Sequence, residues 1–183
     1  MTTYTRSKHA DIAEREAKLG LHWTPGGCLA DKYRQDFFPI FGKGKWSWCA
    51  AFQRWCAVQA GLNIPIKDPD KYGFTFAYVP AFVHWAKDLG FYHDNDGKFQ
   101  PQRGDLTIYD WEQTRVDEPD LGHYDHIGCH LAMVGHSYQA AEGNTGGNGG
   151  YTAIKVRSAV CIQGWIRIPD GYDFNHLISA EPA

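Results

Sequence analysis

A cysteine stands directly behind Trp-Ser-Trp in the stretch KGKWSWCAAFQRWCAVQAG, residues 43–61. Ser47 is placed to cap a helix, its hydroxyl accepting from backbone N–H groups one turn later, and Cys49 then falls in the first turn. Free N–H groups and the positive end of the helix dipole face it there and favour thiolate over thiol. Thiolate is the nucleophilic form, and the same N–H groups can hold an oxyanion. Cys56, seven residues on, lies on the inner face of the helix and reads as a small buried thiol.

A thiol nucleophile needs a base that titrates near neutrality, which points to histidine. His93, His123, His126, His130 and His136 gather in or just ahead of GHYDHIGCHLAMVGH. The segment alternates as a strand, with Ile127, Cys129, Leu131 and Met133 on one face and His126, Gly128, His130, Ala132 and Val134 on the other. The small residues of the second face leave room for a helix end or a substrate beside His126, the candidate general base. His130 reads as a structural histidine and His123 as a loop residue. In AEGNT, Glu142 and Asn144 share a strand face, and either can accept from the second ring nitrogen of His126, fixing its tautomer. Trp46, Trp48, Tyr78 and Trp111 are candidate substrate contacts, since aromatic rings offer flat faces to a sugar or peptide.

The elements that must position these groups are helices first and strands after. A helix over 8–19 closes at Gly20, a short one is expected within LADKYRQDFF, and the cysteine helix runs from its Ser47 cap to about Ala60, where Gly61 ends it. Its apolar face is Phe52, Trp55, Cys56 and Gln59. Pro80 starts another helix with the stripe Phe82, Trp85, Ala86 and Leu89. From residue 100 onward GDLTIYDW, HIGCHLAMV, QAAEGNT, TAIKVRS and IQGWIRI read as strands. The fold class is α+β, with N-terminal helices packed on one face of a C-terminal antiparallel β-sheet. The 183 residues fit one domain, its core about 8–170 and its tail 171–183.

Net charge is −3, so no basic field points to nucleic acid or to an anionic membrane. The cysteines number five, an odd count without a CxxC pair. Cys49 and Cys56 lie about 10 Å apart along one helix, too far for a disulfide, and the set reads as reduced thiols. The first residues lack the apolar core of a signal peptide, and no run reaches the ~18 apolar residues of a membrane span. The expectation is a protein made in the cytoplasm.

Four motifs in order, WCAAFQRWCAVQAG, RGDLTIYD, DHIGCHLAMV and AEGNT, with GWIRIP (164–169) as a last strand, resemble the CHAP family of cysteine peptidoglycan hydrolases, related to the NlpC/P60 and papain-like enzymes. The resemblance spans roughly residues 10–170. It implies a papain-like, NlpC/P60-type fold. It implies Cys49 as nucleophile, His126 as general base, Glu142 as the group orienting His126, and Asn144 as a supporting polar group. The implied reaction is amide hydrolysis in peptidoglycan, through a thioester and without a cofactor. The bond is either the one between muramic acid and L-alanine or one within the stem peptide or cross-bridge. Two departures stand out. Some relatives bind calcium through an acidic loop before the cysteine, whereas FGKGKWSW has no carboxylate, so no metal is expected there. Many relatives carry Gln just before the cysteine to help form the oxyanion hole, and Trp48 stands here instead, leaving the Cys49 N–H as the one donor that can be named.

Other readings compete. A zinc site from His123, His126, Cys129 and His130 is opposed by strand geometry. His126 and His130 would lie about 13 Å apart with Cys129 facing away, against the ~2.0–2.3 Å that zinc needs. A wall-binding domain without chemistry, and a cysteine peptidase or acyltransferase acting on another substrate, are the remaining alternatives. The acidic loop WEQTRVDEPDLGHYD (111–125) reads as a solvated insertion or a groove wall, and GNTGGNGG as a hairpin connection. A lone catalytic domain of this kind resembles a phage endolysin, released by a pore-forming holin, or an injected lytic effector accompanied by an immunity protein. In either case it is expected to be a monomer acting on the cell wall.

Overall fold

The architecture comes from a computed structural model that describes residues 3–68, 73–111, 124–147 and 149–174. Among the described residues four α-helices precede the sheet: α1 (Arg6–Ala17), the single turn α2 (Phe38–Phe41), α3 (Cys49–Ala60) and α4 (Val79–Asp88). Six strands follow, β1 (Tyr92–Asp94), β2 (Leu106–Tyr109), β3 (His126–Val134), β4 (Ser137–Thr145), β5 (Tyr151–Ser158) and β6 (Ile162–Ile166). They form one antiparallel sheet in the order β1-β6-β2-β3-β4-β5. The α+β class and the helices-then-strands order match the expectation. Among the described residues, no helix is long and apolar enough to cross a membrane.

Local chemistry sets the helix limits. Thr5 caps α1 by accepting from the Lys8 N–H at 3.2 Å, and Pro80 sits in the first turn of α4, where a missing N–H costs nothing. Gly61 closes α3 in the left-handed conformation, φ 104°, which a side chain would resist. The cap of α3 differs from the sequence reading. Trp48, not Ser47, is the N-cap residue, and it makes no side-chain capping bond. Tertiary contacts anchor this entry instead: the Trp48 indole donates to the Gly149 carbonyl at 3.0 Å and stacks on Tyr33. LADKYRQDFF forms two 3₁₀ turns that lead into α2 rather than one helix. The three-residue β1 is too short to carry an alternation that sequence reading could find.

The main core lies between the helices and the sheet face carrying Leu106, Ile108, Ile127, Cys129, Ala141 and Ile166. The buried side of α3 is Phe52, Gln53, Cys56, Ala57 and Ala60, whereas Gln59 is exposed. The stripe is rotated because the Gln53 amide reaches the sheet and donates to the Ala141 carbonyl at 2.9 Å. Tyr172 and Phe174 pack around Trp85, and Tyr4 is buried, so the packed chain extends beyond 8–170 at both ends. The opposite sheet face carries a smaller cluster of Tyr109, Ile162 and Trp165, with Phe99, Tyr138 and Cys161 against it.

One contact sets the height of α3 over the sheet. A Cβ on Gly143 would lie 2.5 Å from the Phe52 Cβ and 2.9 Å from Trp48 Cζ3, so β4 has no space for one where α3 begins. Gly143→Ala is therefore expected to destabilise the fold by ~1–3 kcal/mol through overpacking, read as a lower urea midpoint, and to perturb the helix start that carries Cys49.

Candidate active site

Cys49 is the first residue of α3 and is 3 % exposed. The amides of a helix's first turn have no intrahelical acceptor, so α3 presents N–H groups around this sulfur. His126 is the first residue of β3 and is buried. Asp125 prepares its position: the carboxylate accepts from the Trp111 N–H at 2.7 Å, and its own N–H donates to the Tyr109 carbonyl at 3.0 Å. The end of β2 is thereby tied to the start of β3.

His126 Nε2 meets Glu142 Oε2 at 3.0 Å, and the Cys49 sulfur lies close enough to the ring to act on its charge. With Nε2 engaged by the carboxylate, Nδ1 is the nitrogen left for the thiol. Burial disfavours the charged ring, but the Cys49 sulfur, by charge and by hydrogen bonding, and Glu142 together outweigh it and raise the His126 pKa to about 9. This direction favours the charged ring at neutral pH.

Glu142 is fully buried in β4. Burial would raise its pKa, yet hydrogen bonds from His126 and Arg157 bring it down to about 2. Arg157, on β5, grips both carboxylate oxygens, Nε to Oε1 at 3.0 Å and Nη2 to Oε2 at 2.6 Å, and Nη2 also reaches Thr145 Oγ1 at 2.9 Å. Its guanidinium lies 4.8 Å from the centroid of the Trp111 ring. Trp111 in turn stands 5.7 Å from the His126 ring and stacks on Tyr109 at 5.2 Å.

The four expected catalytic residues thus divide. His126 and Glu142 are bonded to each other with the Cys49 sulfur close to the ring, and the carboxylate rather than Asn144 engages His126. Asn144 does not share the strand face of Glu142 in a regular alternation. It takes a left-handed backbone conformation, φ 55°, within a register shift of β4, and its side chain lies against Gly150. It lines the cavities beside the site without a hydrogen bond to His126. The space beside Gly128 is filled by Glu142 and Tyr109 side chains, not left for substrate.

Of the expected substrate contacts, Trp111 and Tyr78 are 42 % and 49 % exposed and Trp46 is half-buried. Trp48 is fully buried against Tyr33 and cannot meet a surface ligand, nor can its indole act as an oxyanion donor, being bound to Gly149. Three clefts border the site. One of about 520 Å³ joins Ser47 and Cys49 to Phe74, Tyr78 and Pro80. Another of about 280 Å³ joins His126 to Trp111, Asn144 and Arg157. The third, about 470 Å³, joins Lys45, Trp46 and Ser47 to Asn144 and the glycines of the hairpin return.

The zinc alternative meets the strand geometry that opposed it: Cys129 is buried on the core face of β3, whereas Tyr109 and Tyr138 contact His126 and His130 on the other. No group of three or more His, Cys, Asp or Glu among the described residues is placed to hold a metal ion. All five cysteines are free, with Cys56 buried as expected. His123, most of the acidic loop (112–123) and Asn148 of the hairpin lie outside the described residues. Arg157 was not among the sequence candidates. Its signal was slight, a basic residue in an alternating strand, and its cross-strand partner is Tyr138, not Glu142.

No family model and no curated protein match the chain. Among solved structures the chain is similar to "The crystal structure of Ly7917", at 15 % identity and a TM-score of 0.39, over 88 % of this chain and 62 % of that one. It therefore spans less than two thirds of that chain's length, and a likeness of this degree carries no argument about fold or function.

The ionic chain gives stability a defined pH window. Glu142, lowered from 4.5, contributes stability that is present above pH 4.5 and lost as pH falls toward about 2. His126, raised from 6.5, contributes stability that is complete below pH 6.5 and lost as pH rises through about 9. Urea unfolding across pH is expected to show the gap between wild type and Glu142→Gln closing on the acid side, and the gap between wild type and His126→Gln closing on the alkaline side. Gaps that stay constant with pH would count against the ion chain.

Proposed function

We propose that this protein is a cysteine amidohydrolase of the CHAP type, with a papain-like, NlpC/P60-related fold, and that it cleaves an amide bond of peptidoglycan. The observation that carries the reading is the buried His126 ring bonded to the Glu142 carboxylate and close to the Cys49 sulfur at a helix start. A buried imidazolium paired with a sulfur has no evident structural advantage over an apolar pair, because isolating charges from water is costly, whereas it is the resting state a thiol hydrolase needs.

In this mechanism the Cys49 thiolate attacks the amide carbonyl, and the developing oxyanion is met by the Cys49 N–H and the first turn of α3. His126 gives its proton to the departing amine, leaving a thioester on Cys49. Water then adds to the thioester carbonyl as His126 takes its proton, and the carboxylic acid leaves with the thiolate restored. Glu142 keeps the ring oriented through both steps. The cleft shared by Cys49, Tyr78 and Phe74 suits the less polar side of a glycopeptide, and Trp111 offers a ring face beside His126. The motif series, in order over most of the chain, supports peptidoglycan as the substrate, and release by a holin or injection with a cognate immunity protein follows as the biological setting.

Digestion of purified sacculi with mass analysis of the fragments tests the proposal and identifies the bond cut. Cys49→Ala and His126→Ala are expected to lose activity by ~10⁴-fold or more while retaining wild-type circular dichroism, and chelators should leave the rate unchanged. Activity should decline on the alkaline side near pH 9, as His126 loses its proton. A folded Cys49→Ala variant that still releases fragments would end this reading.

A further inference from the structure

Resting on the proposed thiol mechanism, we infer that Arg157 is a positioning residue for the Cys49–His126 pair: its guanidinium fixes the orienting carboxylate and balances the charge of the buried cluster. In the resting state of the proposed mechanism the cluster would hold a thiolate, an imidazolium and a carboxylate, which sum to −1, and Arg157 brings the total to zero. Its two-point grip on Glu142, with the added bond to Thr145, leaves the carboxylate no other orientation in which to serve His126. Trp111 covers the guanidinium on one side and stands beside His126, so the same ring screens both members from water.

The groups facing this cluster come from every neighbouring element. Cys49 belongs to α3, Tyr109 to β2, His126 to β3, Glu142 to β4 and Arg157 to β5, with Cys161 on the turn before β6. Tyr109 and Cys161 add no further negative charge to the cluster. Burial pushes both upward, and the nearby Glu142 adds to it, so both stay neutral near pH 7. Arg157 is therefore the one cation in contact with Glu142 other than His126 itself among the described residues.

Removing a cation from a coupled cluster makes every remaining proton bind more tightly. The first proton to enter the pair, which quenches the nucleophile, would enter at higher pH, and the last to leave His126 would leave at higher pH. Both limbs of the reactivity profile should move upward together. A residue that only braced the fold would lower the plateau and leave the limbs in place.

Site-resolved alkylation of Cys49 by iodoacetamide, quantified by peptide mass across pH 4 to 10 as roughly the span in which these groups titrate, separates the two. Arg157→Gln is expected to shift both limbs upward by about one pH unit, and Arg157→Lys, which keeps the charge but loses the two-point grip, by a smaller amount in the same direction. Should the Gln variant be unfolded by circular dichroism, the Lys variant carries the test alone. Limbs coincident with wild type in a folded variant, whatever the plateau, overturn the inference about Arg157. A wild-type profile indifferent to His126→Ala would instead overturn the thiol mechanism, so the two failures are told apart.

Discussion

A carboxylate removed from water is among the costliest groups a small fold can bury, and Glu142 is fully buried. It is tolerated because His126 and the Arg157 guanidinium reach it from the strands on either side of β4. Each of these has its own reason to be where it is. His126 is placed by the start of β3, tied to β2 through Asp125, and Arg157 is covered by Trp111. The site is thus a self-consistent electrostatic unit, in which no member is stable as a charge without its neighbours.

The sulfur joins that unit from the other layer of the molecule. Cys49 depends on the height and direction of α3, which are set by Gly143, by the Gln53 bond to Ala141, and by the Trp48 indole seated on Tyr33 and Gly149. These contacts explain two sequence features that do no chemistry. The glycine between Glu142 and Asn144 lets helix and strand approach, and the tryptophan before the cysteine is a structural anchor. Asp105 of the Gly-Asp pair is likewise an internal tie: it is fully buried, and its carboxylate accepts from Arg6 and from both Nε and Nη2 of Arg167, joining α1 to the end of β6.

How much of this could be read from sequence follows from the range of each interaction. Period-two alternation over nine residues made β3 plain, and a glycine after an apolar run marked the end of α3. Cys49 and His126 stand at recognisable local features, a helix start and a strand start, whereas local pattern left Glu142 and Asn144 open and the family resemblance favoured Glu142. Ser47 was misread as the cap because capping rules are local and the actual anchor is Gly149, far away in the chain. Asn144 was placed beside Glu142 on one face, and a register shift in β4 removes that alternation. Arg157 could not be found, since it meets Glu142 away from its own cross-strand partner and no spacing rule encodes that reach.

β3, β4 and β5 follow one another in the chain as a meander, so the imidazole, the carboxylate and the guanidinium all lie within residues 126–157 and meet through short-range pairing. The thiol comes from much earlier in the chain. Contacts between near neighbours close more readily than those between distant segments. A chain whose first half has not yet settled onto the meander holds its sulfur apart from its imidazole. In the proposed mechanism nucleophile and base therefore meet only in the finished tertiary structure, and a nascent or partly opened copy would lack the pair.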